Sequence, residues 1–170
     1  MRILALDLSS KSTGWAIFDN NNLIQYGCII QNSTDSLLRI INITKEIENI
    51  YLQYKPDKIV CEDIIPSEVG HNQQVFKVLH YLQAAVVLML HDYKQTVEFY
   101  VSSEWRKKCG IKTGRGITRD MVKQADIKFV KDKYNLDVND DIADAIGIGY
   151  AYLNPPIPTG ATSAVKKSAF

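Results

Sequence analysis

Paired cysteines are missing from this chain. Cys28, Cys61 and Cys109 are odd in number and widely spaced, with no Cys-x-x-Cys among them, which removes zinc-knuckle and dithiol chemistry and leaves free thiols. A bilayer span of about 20 apolar residues is also missing. The most lipid-like run, Val75–Leu90, is broken by Lys77, His80 and Gln83, so no membrane association is expected. Nor does an N-terminal signal segment stand out, because Arg2 is followed by a short apolar run and then Asp7, and a cytoplasmic protein is the expectation. No repeat is detectable, and no sign of charge dominates: 20 Lys or Arg face 19 Asp or Glu, a net of +1.

That near-neutrality conceals an asymmetry. Between Arg106 and Lys133 ten Lys or Arg stand against three Asp, a local charge of +7 that leaves the remainder at −6. A basic segment in an otherwise acidic chain suits an enzyme that grips a polyanion while cations screen its carboxylates. A solvated helix face accounts equally well for a charge run taken alone.

At 170 residues, 46% of them hydrophobic and 23% charged, the chain has the size and composition of one globular domain. Residues 1–153 carry all the periodic segments, and residues 154–170, rich in Pro, Ser and Ala, read as a flexible tail. Ile3–Leu6 is apolar at consecutive positions, as in a strand covered on both faces. Trp15–Phe18 and Leu23–Ile30 follow after short polar turns, which predicts an antiparallel three-stranded meander. A helix capped by Asp35 or Ser36 comes next, with Leu37, Leu38, Ile41, Ile47 and Ile50 as its apolar positions, ending before Pro56. Lys58–Cys61 then forms a strand parallel to the first, and Thr96–Val101 a fifth. Between them Asn72–Asp92 is a long helix, apolar on more than one side. Ile64–Gly70 reads as a loop and Ser102–Gly110 as a short capped helix. Thr118–Lys133 is amphipathic, with Met121, Val122, Ala125, Phe129 and Val130 inward. Asn139 or Asp140 caps the last helix, Asp141–Leu153. The expected fold is α/β, a mixed five-stranded sheet flanked by helices.

Four acids stand out in this arrangement. Asp7 ends the first strand, Glu62 ends the fourth, and Asp141 and Asp144 lie three apart at the start of the last helix, so they share a face about 4.5 Å apart along the axis. If the two strands are neighbours, Asp7 and Glu62 meet at one sheet edge. The small residues following Asp144 allow close packing that presses the helical pair toward them. Such acids repel one another unless cations intervene. Hard oxygen ligands select Mg²⁺ or Mn²⁺, and two ions together support phosphodiester hydrolysis. Asp140 competes with Asp141 as a ligand through its i, i+4 relation to Asp144. Taken singly, each acid has an ordinary reading as a turn former or helix cap.

The order strand, Asp7, Ser-rich turn, Gly14, aromatic, strand; then Ile59-Val60-Cys61-Glu62; then Asp141-Ile142-Ala143-Asp144-Ala145 resembles the RuvC-type Holliday-junction resolvases of the ribonuclease-H-like superfamily, the short phage-encoded members above all. The resemblance spans residues 1–153. It implies a homodimer joined through the helix Asn72–Asp92, paired nicks in branched DNA, and Asp7, Glu62, Asp141 and Asp144 as metal-binding catalytic acids. It also puts a wedge residue near Ile65, and DNA contacts are expected from Lys11, Arg106, Lys107, Lys112, Arg115, Arg119 and Lys123. Two motifs depart from the family: Leu8-Ser9 stands where Pro-Gly is usual after the first Asp, and Asp63-Ile64-Ile65 where Gln-x-aromatic follows the strand Glu. The alternatives are a nuclease of the same superfamily that processes structured RNA and a non-catalytic module that binds branched DNA.

Overall fold

The computed structural model describes residues 1–65 and 73–155. Strands β1 (Arg2–Asp7), β2 (Ser12–Asp19) and β3 (Asn22–Ile30) form the antiparallel meander, and β4 (Lys58–Glu62) and β5 (Val97–Tyr100) extend it in parallel, in the spatial order β3-β2-β1-β4-β5. Helices α1 (Ser36–Tyr54), α2 (Gln73–Asp92), α3 (Ser102–Lys108), α4 (Arg119–Tyr134) and α5 (Asp140–Leu153) cover it. The expected mixed five-stranded sheet is therefore present. The expected beginning of α2 at Asn72, the loop beyond Ile65, and the tail from 156 onward lie outside the described residues.

The consecutive apolar run of β1 divides between two cores. Leu4 and Leu6 face α1 and α2, packing with Ile43, Ile47, Leu82 and Val86. Ile3 and Ala5 face the other layer, with Phe18, Trp105, Val130 and Ile146. Both sheet faces are dry, as a strand without polar alternation requires.

The α1 stripe differs from the expected one. Asp35 caps the helix by accepting from the Leu37 backbone N–H at 2.8 Å, and the buried positions are Ile40, Ile43, Ile47 and Ile50. Leu37, Leu38 and Ile41 are exposed, because the cap sets the helix phase with Ile40 inward. Met121, in the first turn of α4, is likewise exposed. Helix α3 starts without a side-chain cap.

Helix α2 buries Val78, Leu82, Val86 and Leu90 at i, i+4 spacing. Val75, Tyr81, Val87 and Leu88 remain exposed, Leu88 at 68%. By length and mean hydropathy alone, 20 residues and 1.2, this helix is apolar enough to cross a membrane, more so than its interrupted sequence suggests. Its buried stripe is spent on the sheet.

Candidate metal centre and nucleic-acid interface

Register places the first two acids side by side. In the parallel pair β1/β4, Leu6 lies opposite Cys61, so Asp7 and Glu62, the next residues of each strand, emerge together at the same sheet edge. Helix α5 crosses these strand ends and is capped by Asn139, whose Oδ1 accepts from the Ile142 backbone N–H at 3.0 Å. It lies close because Ala143, Ala145, Gly147 and Gly149 leave it small and buried on more than one side. A Cβ on Gly149 would come within 2.3 Å of the Phe18 ring. One ligand oxygen from each of Asp7, Glu62 and Asp144 consequently lies within 4.8 Å of the other two.

Asp141 is not a member of that trio. Its Oδ2 accepts a hydrogen bond from the Ser12 hydroxyl, which also contacts the Cys28 thiol at 3.0 Å. It nevertheless borders the trio, since its charge acts on Asp7. Asp140 is engaged elsewhere: its carboxylate pairs with Lys123, and that hydrogen bond holds Asp140 below the usual carboxylate range and raises Lys123. Of the two candidates, Asp141 acts more strongly on Asp7, and Asp140, though its charge also reaches Asp7, is tied to Lys123 of α4.

The acids have a resident counter-charge. Arg106 reaches Asp144 Oδ2 through its Nη2 at 3.0 Å and both oxygens of Asp126 through Nε, at 3.3 and 3.0 Å. The Asp126 side chain is 0% exposed and that of Arg106 12%. Burial alone would lower the Arg106 guanidinium, but Asp144, Asp126 and Glu62 outweigh it and raise its pKa. Arg106 is thus held inward by two carboxylates while it also lines the cleft beside the acids. Lys123 is likewise already paired.

Even with Arg106 present, the site is short of positive charge. Burial pushes Asp7 well above the ordinary carboxylate value of 3.8, and the nearby Glu62 and Asp141 charges push it further. Asp144 is also raised well above that value, by burial first and then by Asp7, with Arg106 opposing. When ionised, Asp144 has no donor on its buried Oδ1; when protonated, it can share a hydrogen bond with Asp126. An orphaned buried carboxylate oxygen beside two further acids, all hard oxygen donors, fits Mg²⁺ or Mn²⁺.

The acids line a cleft of about 1070 Å³. Its rim carries Lys11 and Arg119 along with Lys123, and Ile65 lies on its wall, half-buried. Lys107, Lys112 and Arg115 are exposed but do not line it. The turn after Asp7 is clamped by buried Arg39, which donates to the Ser10 carbonyl at 2.9 Å and to the Ser33 carbonyl at 2.7 Å.

Three contributors escaped the sequence reading: Ser12, Asp126 and Trp105. Asp126 had a visible signal, for it sits four residues from both Val122 and Val130 on the inward stripe of α4, where an unpaired charge is costly.

An antiparallel meander continued by parallel strands, with acids at two adjacent strand ends and on the helix that crosses them, defines the ribonuclease-H-like class of fold. More narrowly, the chain belongs to the crossover junction endodeoxyribonuclease RuvC family, whose profile matches residues 3–151. It is a nuclease of that family. A crossover junction endodeoxyribonuclease RuvC from Petrotoga mobilis (strain DSM 10674 / SJ95) is 25% identical over 159 residues, covering 91% of this chain and 94% of the relative. Among solved structures, T. thermophilus RuvC in complex with a Holliday junction substrate superposes with a TM-score of 0.71 at 11% identity, over 89% of this chain and 92% of that one. Fowlpox virus resolvase, solved with its substrate Holliday junction DNA, gives 0.57 at 17% identity, over 90% and 97%. At these identities the structural likeness speaks to the fold.

Proposed function

We propose that the protein is a divalent-metal-dependent endonuclease that cuts phosphodiesters at four-way DNA junctions, with two Mg²⁺ ions per site (Mn²⁺ as a substitute) and two copies of the chain per junction. The observation that carries this reading is the trio of carboxylate oxygens within 4.8 Å, at the floor of a cleft rimmed by basic residues. Asp7, Glu62 and Asp144 would hold the metal, with Asp141 beside them as the fourth acid. Bound there, the ions would supply a nucleophile from water and charge stabilisation for the leaving oxygen.

The chain's own residues do the rest. Arg106 holds Asp144 through its Oδ2 and so fixes the carboxylate beside Asp7 and Glu62. Lys11 and Arg119 on the rim, with Lys107, Lys112 and Arg115 beyond it, supply the cations that phosphates need. Such contacts give affinity and position without reading sequence. Ile65 is an apolar surface against which an unstacked base can rest. Tyr81 and Leu88, exposed and seven residues apart on one side of α2, support pairing of two chains through that helix, which would present two clefts to a two-fold symmetric junction.

The test is cleavage in Mg²⁺ of a synthetic four-way junction beside three-way DNA, linear duplex and a hairpin RNA, with sedimentation of the protein alone. Preferential paired nicking of the four-way junction by a dimer is expected. Preference for the RNA would transfer the chain to RNA processing. Binding without any cutting would make it a non-catalytic module.

A further inference from the structure

Glu62 is oriented by a tryptophan. The indole Nε1–H of Trp105 donates to Glu62 Oε2 at 2.8 Å, from a side chain that is fully buried. We propose that Trp105 is a positioning residue of the metal centre: its N–H fixes the Glu62 carboxylate, and thereby sets the affinity of the site for a divalent cation. This rests on the reading of Asp7, Glu62 and Asp144 as metal ligands.

The ring cannot turn away from Glu62. Gly147 of α5 lies against it so closely that a Cβ there would come within 2.5 Å of Cζ3. The Arg106 guanidinium carbon sits over the ring, 4.3 Å from its centroid, and is itself tied to Asp126 and Asp144. Glycine in the middle of a helix is disfavoured relative to alanine. Here it makes room for one particular indole. Adjacent residues of α3 therefore hold two acids of the trio, Trp105 gripping Glu62 and Arg106 gripping Asp144. A partner that orients a ligating carboxylate commonly governs metal affinity by 10–100-fold. Phenylalanine would fill the same space without the donor.

The experiment titrates Mn²⁺ alone into DNA-free protein and counts free ion by electron paramagnetic resonance. Trp105→Phe should bind Mn²⁺ about 10–100-fold more weakly than wild type, with junction affinity in EDTA unchanged. Mn²⁺ affinity within twofold of wild type would overturn the proposal, and a lower melting temperature with unchanged affinity would mean that the indole only packs. Glu62→Gln serves as the control for the underlying reading: if it binds Mn²⁺ as wild type does, the acids are not ligands and that reading fails by itself. A second measurement leaves Trp105 intact. The chain has two tryptophans, so in Trp15→Phe protein the emission is that of Trp105. Mg²⁺ should change it saturably, with the same midpoint as displacement of Mn²⁺; constant emission across that range would equally overturn the proposal.

Discussion

Gly14 touches Asp141 backbone to backbone: a Cβ on Gly14 would lie 1.9 Å from the Asp141 carbonyl oxygen. Gly14 is also the direct β2 partner of Asp7 in the antiparallel ladder. One missing side chain thus sets the distance between the strand acid and the helical acids. Gly14→Ala should push α5 off the sheet, costing about 3 kcal/mol, the upper end for overpacking, and removing cleavage. An unchanged urea midpoint with normal nicking would show that α5 is not seated by this contact.

Asp7→Asn removes a ligand oxygen's charge from the centre of the trio without touching the basic rim. Cleavage should fall to background while junction binding in EDTA stays within a few-fold, as gel shift and nicking assays run in parallel can show. Normal cleavage by this variant would end the metal-centre reading.

The raised acids make metal-free stability depend on pH in a definite direction. A carboxyl whose folded pKa exceeds its unfolded value contributes stability that is complete below about 3.8 and is lost as pH rises through the folded value. In EDTA the protein should therefore lose stability as pH rises above about 3.8. At neutral pH Asp7→Asn should melt above wild type, by about 2–4 °C for each kcal/mol of repulsion relieved. Saturating Mg²⁺ should reverse the order. Scanning calorimetry with and without Mg²⁺ checks both signs.

Asp126→Ala leaves Arg106 buried with one partner in place of two. Breaking a buried pair in this way costs about 3 kcal/mol or more, and denaturant unfolding should show it. Asp126→Asn, which keeps an acceptor for Arg106 Nε, should lose less.

Arg119 and Lys123 both border the cleft, yet among the described residues only Lys123 of the two is held in an ion pair. Arg119→Ala should lower the slope of log affinity against log salt by about 0.9. Lys123→Ala should change it less. Equal effects would mean that Asp140 releases Lys123 when DNA binds.

The sheet order and the meeting of Asp7 with Glu62 were legible because they follow from local rules: a consecutive apolar run, two short turns, and a helix between parallel strands. Asp144 was legible for a related reason, since helical spacing and small neighbours fix where its side chain can go. Asp126 and Trp105 were not, although Asp126 lies within the segment singled out for its charge and Trp105 immediately before it. Counting charges along α3 and α4 treats Arg106 as free, whereas its partners come from α4 and α5, 20 and 38 residues away in sequence. The phase of α1 was misread for a smaller cause: several leucines and isoleucines compete for the inward face, and the cap decided among them.

The Asp126–Arg106–Asp144 chain has a consequence for folding. In small zinc modules folding and ion capture are one event, and the apoprotein is a coil. Here a guanidinium built into the polypeptide already neutralises part of the anionic centre, so the folded form does not have to wait for a cation to offset those carboxylates.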